Sequence, residues 1–135
     1  PNVEKDLSPQ LPSLHLHPQE LGRVVINLVN NACYALQQKA IQAQDDFQPL
    51  LRIRTYPSDT FAVIQIWDNG LGITKEIQDQ IFQPFFTTKA TGEGHLGLGL
   101  SISYDIITEG HQGSITVKSE PGVFTQFEIQ LPLVL

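Results

Sequence analysis

Two asparagines, one aspartate, one lysine and a run of glycines are the residues whose types and spacing could do chemistry. Asn27 and Asn31 are four apart, a spacing that stacks side chains on one side of a helix. An Asn amide carries a carbonyl oxygen, a hard ligand suited to Mg²⁺. Two such residues could equally border a solvated face. Asp68 ends a segment in which Ala62, Ile64 and Ile66 alternate with Phe61, Val63, Gln65 and Trp67. Its carboxylate therefore continues the apolar Ala62-Ile64-Ile66 face. Burial there without a partner costs on the order of several kcal/mol, and the amino group of a base could be that partner. An Asn-Gly hairpin turn at Asn69-Gly70, or a local turn capped by Asp68, are the competing readings.

Gly92-Glu93-Gly94-His95-Leu96-Gly97-Leu98-Gly99-Leu100 is the densest glycine segment. It matches G-x-G-x-x-G in form, but no βαβ pattern surrounds it, and Leu100 stands where a P-loop needs Lys. What remains is physical: glycines let backbone N–H groups approach phosphate at a helix N-terminus. A merely flexible loop has the same composition. Lys89, just upstream, could meet a phosphate as a point charge or stay solvated. His15, His17, His95 and His111 show no metal-ligand spacing, and no Ser/His/Asp or Cys/His constellation is visible.

These residues need elements to hold them. Leu14-His15-Leu16-His17 alternates as a short strand would. Pro18 can open a helix. From Gln19 to about Gln38, Leu21, Val24, Val25, Leu28, Ala32, Ala35 and Leu36 fall at helical spacing. Asn27 and Asn31 sit on the border of that apolar stripe. A polar loop follows over 42–48. Strands are expected over 50–56 and 60–67, joined at Pro57-Ser58-Asp59. Thr74 can cap a short helix carrying Ile77 and Ile81. Residues 82–96 read as a long loop. Leu98, Ile102 and Ile106 mark a helix from Gly97 to about Glu109, with Gly110 and Gly113 at its end. A final hairpin, 114–119 and 124–131, turns at Glu120-Pro121-Gly122-Val123. Strands and helices mix without regular βαβ alternation, which predicts an α+β sandwich.

The chain has 135 residues, and folding at that size buries roughly 68% of the unfolded surface, enough for one core. A single domain spanning residues 1–135 is expected. Eight basic residues against 14 acidic ones give a formal net charge of −6. That balance argues against a duplex nucleic acid or an anionic membrane as partner. The lone Cys33 excludes an internal disulfide and fits a reducing, cytoplasmic compartment. No apolar run approaches the roughly 18 residues of a membrane helix, so the chain is not expected to be membrane-embedded. The start at Pro1 and the lack of Met point to a piece of a longer protein, whose other parts could carry a membrane anchor.

Each signal is ambiguous alone; their order is not. Asn27-Leu28-Val29-Asn30-Asn31-Ala32 resembles the N box of sensor histidine kinases. Asp68-Asn69-Gly70-Leu71-Gly72-Ile73 resembles their D-x-G-x-G box, and Ile81 to Lys89 (IFQPFFTTK) their F box. Gly97-Leu98-Gly99-Leu100 resembles the second glycine box. Gly122-Val123-Phe124-Thr125-Gln126-Phe127, followed by Leu131-Pro132, resembles the closing G-x-G-T-x-F…L-P segment. The likeness runs from Leu14 to Pro132. It is to the catalytic and ATP-binding domain of histidine kinases, within the gyrase, Hsp90, histidine kinase and MutL fold group.

The resemblance implies a two-layer α/β sandwich of the Bergerat type, a mixed sheet with helices on one face. It implies ATP and Mg²⁺ as cofactors, and phosphoryl transfer to a histidine on a separate dimerisation domain of the parent protein, with a response regulator downstream. Asn31 would ligate Mg²⁺, with Asn27 near the metal and phosphates, and with Lys89 the two Asn would form the catalytic set. Asp68 would accept from the adenine amino group. Gly70 and Gly72 would leave room for the base, Ile73 would pack on it, and Thr125 would support it through its hydroxyl. Phe82 to Leu96 would form a lid. Tyr34, Phe82 and the box Gly94, His95, Leu96, Gly97, Leu98, Gly99 and Leu100 complete the implied binding set.

Three positions depart from the family pattern. Tyr34 stands where many relatives carry Lys or Arg, Phe124 replaces the second Gly of the last box, and the lid glycines are spaced one residue wider. None of the four histidines has an acceptor-like neighbour, so this chain is not expected to label itself. The alternatives are a degenerate nucleotide-binding scaffold, a superfamily ATPase, or an anti-sigma-type serine kinase. The ATPase kind uses a Glu where this chain has Asn27, and an amide cannot act as a general base.

Overall fold

The computed structural model describes residues 2–7, 18–43, 46–83 and 95–133. One mixed sheet of five strands runs in the order β1-β2-β3-β5-β4. The strands are β1 (Asn2–Leu7), β2 (Leu50–Ser58), β3 (Phe61–Asp68), β4 (Ser114–Glu120) and β5 (Phe124–Pro132). β1 pairs parallel to β2, and every other pairing is antiparallel. Helix α1 covers Pro18–Gln42, α2 covers Lys75–Gln78 and α3 covers His95–Asp105; α3 runs on into a π-helical turn over Ile106–Gly110.

The expected helix is the longest element because its apolar residues repeat at i, i+4, i+8 and i+12. Val24, Leu28, Ala32 and Leu36 are all buried along that line. They pack with Leu100 and Ile107 onto Leu51, Ala62, Ile66, Ile115, Phe127, Ile129 and Leu131 of the sheet. This is the α+β architecture expected from the sequence, with the helices over one face of the sheet. The outer face is lined differently. There the Arg52 guanidinium lies 4.9 Å over the Trp67 ring, which stacks on Phe124 at 6.3 Å. Phe124 thus fits at the start of β5 by turning its ring to that outer face.

Several boundaries differ from the sequence reading. β1 occupies residues read as having no element. It is an edge strand with Val3 and Leu7 half exposed. Its side-chain ties are ion pairs, Arg52 to Glu4 at 2.9 Å and Arg54 to Asp6 at 3.2 Å, so no apolar alternation announces it. The strand expected at Leu14–His17 lies outside the described residues. β2 continues through Pro57 and Ser58, and the hairpin turns at Asp59-Thr60, with Asp59 at φ 53°. Pro57 is tolerated because β1 pairs only as far as Thr55, so its missing N–H faces no neighbour on that side. Thr74 caps α2 as expected, its hydroxyl accepting from the Ile77 N–H at 3.4 Å. Ile81 falls beyond that helix, fully buried. α3 starts two residues before the expected Gly97.

Candidate functional site

Asn27, Asn31, Ala35 and Lys39 follow one another at four-residue steps along α1, beside the core line. Ala35 is small enough for the loop after β3 to lie directly on the helix. At Gly70 a Cβ would collide with the Ala35 backbone and side chain and with Asp68 Oδ1. Gly72 has φ +73°, and a Cβ there would run into the Glu120 carbonyl oxygen. Both glycines are therefore set by close packing of this loop, on α1 on one side and on the β4–β5 turn on the other.

Asp68 closes β3 with its side chain on the helix side, 3% exposed. Oδ1 accepts from the Gly70 N–H at 2.8 Å. Burial pushes the carboxyl up to about 7, against the Gly70 hydrogen bond and the Lys39 ammonium, which pull it down. Asn69 faces away. Its amide accepts from the Leu50 N–H at 2.8 Å and donates to Gln48 O at 3.0 Å, which ties the loop to the start of β2.

Across the β3–β5 ladder, Asp68 stands opposite Thr125. These two form one wall of a cavity lined also by Asn31, Ala32, Tyr34, Ala35, Leu71, Gly72, Ile73 and Phe127. Thr125 is buried, with Oγ1 3.0 Å from Ser119 Oγ. Asn31 Nδ2 is buried without a hydrogen-bond partner among the described residues. A buried amide left unpaired at a cavity wall is costly unless a ligand or water meets it. The adjacent turn is fastened three ways. Lys39 Nζ donates to Asn69 O at 3.1 Å and to Gly122 O at 2.9 Å. The Gly122 N–H donates to Leu71 O at 2.6 Å. Gln78 Nε2 donates to Ile73 O at 2.7 Å and Ser119 O at 3.1 Å.

Of the residues singled out in the sequence, Asn31, Tyr34, Asp68, Gly72, Ile73 and Thr125 line this one cavity. Gly70 lies just behind it. Asn27 is one turn earlier on α1, its Nδ2 3.4 Å from the buried Ser103 Oγ on α3. Phe82, partly buried against the core, lies 5.6 Å from the Tyr104 ring and edge-on at 6.2 Å to Phe127, which lines the cavity. Leu100 is fully buried in the core. His95, Leu96, Gly97, Leu98 and Gly99 form the first turns of α3. Lys89, Gly94 and the rest of the expected lid from 84 to 94 lie outside the described residues. Lys39, Ser119 and Gln78 were missed. Lys39 had a readable signal, since it extends the Asn27–Asn31 step by two further turns; Ser119 and Gln78 had none.

A long helix laid across a mixed sheet, with a buried carboxylate and an unpaired amide facing one cavity between them, defines an α+β ligand-binding domain. The family described as "Histidine kinase-, DNA gyrase B-, and HSP90-like ATPase" matches residues 17–135, and the chain belongs to it. The chain is homologous to the catalytic domains of histidine kinases. It is 38% identical over 129 residues to the signal transduction histidine-protein kinase AtoS of Escherichia coli, covering 95% of this chain and 19% of that protein. With the sensory histidine kinase/phosphatase NtrB of Vibrio alginolyticus it shares 34% over 140 residues, covering 98% and 37%. The nucleotide-free catalytic domain of histidine kinase ThkA superposes with a TM-score of 0.76 at 27% identity, over 97% of this chain and 78% of that one. The chain thus spans little more than a third of these curated relatives, or less.

Proposed function

We propose that the chain binds Mg-ATP in the cavity between α1 and the β3–β5 wall. We further propose that it donates the γ-phosphate to a histidine on a separate dimerisation domain of its parent protein, with a response regulator as the later acceptor. One observation carries the nucleotide reading: a buried carboxylate, Asp68, ends the cavity, where it accepts from the Gly70 N–H. An exocyclic amine placed there donates to it. Ile73 and Leu71 supply an apolar flank for a ring, and Asn31 and Asn27 lead along α1 from that end of the cavity.

The residues present fit Mg²⁺ in a particular way. Among the described residues no group of three or more His, Cys, Asp or Glu side chains could hold a metal. What the cavity offers is the amide of Asn31, whose buried Nδ2 has no partner among the described residues and whose oxygen would take that place if the amide flips. That suits a cation held mainly by phosphates and water, with Asn31 as the protein ligand. When bound, Mg²⁺ neutralises charge on the phosphates during transfer. The chain's own part is to fix the base at Asp68 and Thr125, and to aim the phosphates along α1 toward the start of α3.

An ATPase of the gyrase or Hsp90 kind is disfavoured by the residue one turn before Asn31. Asn27 has no proton-accepting carboxylate, and Glu20 is exposed near the far end of α1, against Gly110. Incubation with γ-labelled ATP and Mg²⁺ tests the transfer. The 135-residue chain alone stays unlabelled, and label appears on the parent's histidine-bearing domain when that is added. Label on this chain alone, or no transfer to the added domain, contradicts the proposal.

A further inference from the structure

Ser119 stands behind the cavity wall, not in it, and every hydrogen-bonding position on its hydroxyl is used. Its Oγ lies 2.6 Å from the Phe124 carbonyl oxygen. A carbonyl has no hydrogen to give, so the single hydroxyl hydrogen of Ser119 is spent there. The Ile73 N–H donates to the same Oγ at 2.8 Å. Thr125 Oγ1 is the third neighbour, at 3.0 Å. Ser119 has no hydrogen left for that contact, so Thr125 must supply it. One donated and two accepted bonds exhaust a hydroxyl.

The consequence falls on Thr125. With its hydrogen directed back at Ser119, it turns only lone pairs to the cavity. Asp68, directly opposite in the β3–β5 register, is likewise an acceptor when ionised. Two backbone donors beside this pair are committed, the Gly70 N–H to Asp68 and the Ile73 N–H to Ser119. The Asp68–Thr125 pair therefore presents an acceptor facing an acceptor. An exocyclic amine, with two N–H groups, can donate directly to both. A keto oxygen placed between Asp68 and Thr125 meets only their lone pairs.

We propose that Ser119 is a specificity-determining residue: by fixing the Thr125 hydroxyl as an acceptor, it makes the cavity select a 6-amino purine over a 6-keto purine. The proposal rests on the reading of this cavity as the purine nucleotide site. Ser119 acts through Thr125 and is a positioning residue.

Calorimetry on the 135-residue chain at pH 8, with the Mg²⁺ complexes of the β,γ-imido analogues of ATP and ITP, tests it. The wild-type chain should bind the adenine analogue at least about 100-fold more tightly, as sites built around hydrogen bonds reject mismatched partners. Ser119→Ala frees the Thr125 hydrogen to turn toward a keto oxygen. The adenine analogue then weakens about fivefold or more, while the hypoxanthine analogue strengthens about threefold or more. A loosened turn would weaken both, so parallel losses overturn the proposal.

Thr125→Val is a second test that keeps the Ser119–Phe124 bond. It lowers adenine affinity and leaves hypoxanthine affinity within about twofold, and adding Ser119→Ala in that background brings no rise. The reverse pattern, or an unchanged ratio, overturns the proposal. If the wild type binds adenine but does not discriminate, only this inference falls. If it binds neither analogue, the purine reading falls and takes the inference with it.

Discussion

Asp68 is a carboxylate built where a carboxylate is expensive. Its ordinary value of 3.8 is raised to about 7 by burial, and only the Gly70 N–H and the nearby Lys39 ammonium oppose that rise. Between those two pH values the folded chain keeps a proton that the unfolded chain has lost. Unfolding then releases a proton, so the Asp68 contribution to stability is greatest below about pH 4, falls as pH rises toward 7, and is flat above. The full span is on the order of 4 kcal/mol. Chemical denaturation between pH 5 and 8 checks this: Asp68→Asn should flatten the slope and be the more stable protein at pH 8. Nucleotide binding runs the other way, since the ionised carboxylate is the acceptor, and affinity rises from pH 6 to 8. The same residue was legible in the sequence because strand alternation already placed it on the apolar face. Asn31 and Thr125 were legible through the resemblance of their surrounding motifs. Ser119 was not, because its role depends on a hydrogen count among residues that meet only when the turn folds.

At the level of elements, the cavity is a junction of α1, the loop after β3 and the β4–β5 turn. Lys39 is where the three meet. Its ammonium bonds two backbone carbonyls from different segments and lies 4.8 Å over the Phe47 ring. Charge-assisted bonds of this kind, partly exposed, contribute about 1–2 kcal/mol here. Lys39→Ala should lower the thermal midpoint by a few degrees, with nucleotide affinity down by about tenfold, read by thermal melts and calorimetry. It should also move the pH midpoint of nucleotide binding upward, because the cation that holds Asp68 down is gone. An unchanged midpoint would deny Lys39 that electrostatic part. α1 was readable almost to its ends because its apolar spacing is regular over four turns. β1 was not, since an edge strand fastened by Arg52–Glu4 and Arg54–Asp6 needs no apolar pattern. The hairpin turn after β2 was misplaced because Pro57 is usually a turn residue, and only its place beyond the end of β1 makes it a strand residue.

As a whole the molecule is acidic, with a net charge of −6, yet its proposed ligand is a polyanion. The positive field must be local: the amide of Asn31, the backbone donors at the start of α3 and the cation that comes with the phosphates. Chelating Mg²⁺ should therefore weaken ATP binding by about tenfold or more, since the bare phosphates meet the field of the chain unscreened. Raising the salt concentration should recover part of that loss. Among the described residues no helix is long and apolar enough to cross a membrane.

The central claim is that Asp68 anchors a nucleotide base, and calorimetry of the β,γ-imido ATP analogue with Mg²⁺ at pH 8 tests it most directly. The account predicts saturable one-to-one binding by the wild-type chain. It also predicts a loss of about 100-fold or more in Asp68→Asn, whose thermal midpoint is equal or higher. Equal affinity in the two proteins, or no wild-type binding at millimolar analogue, would contradict it.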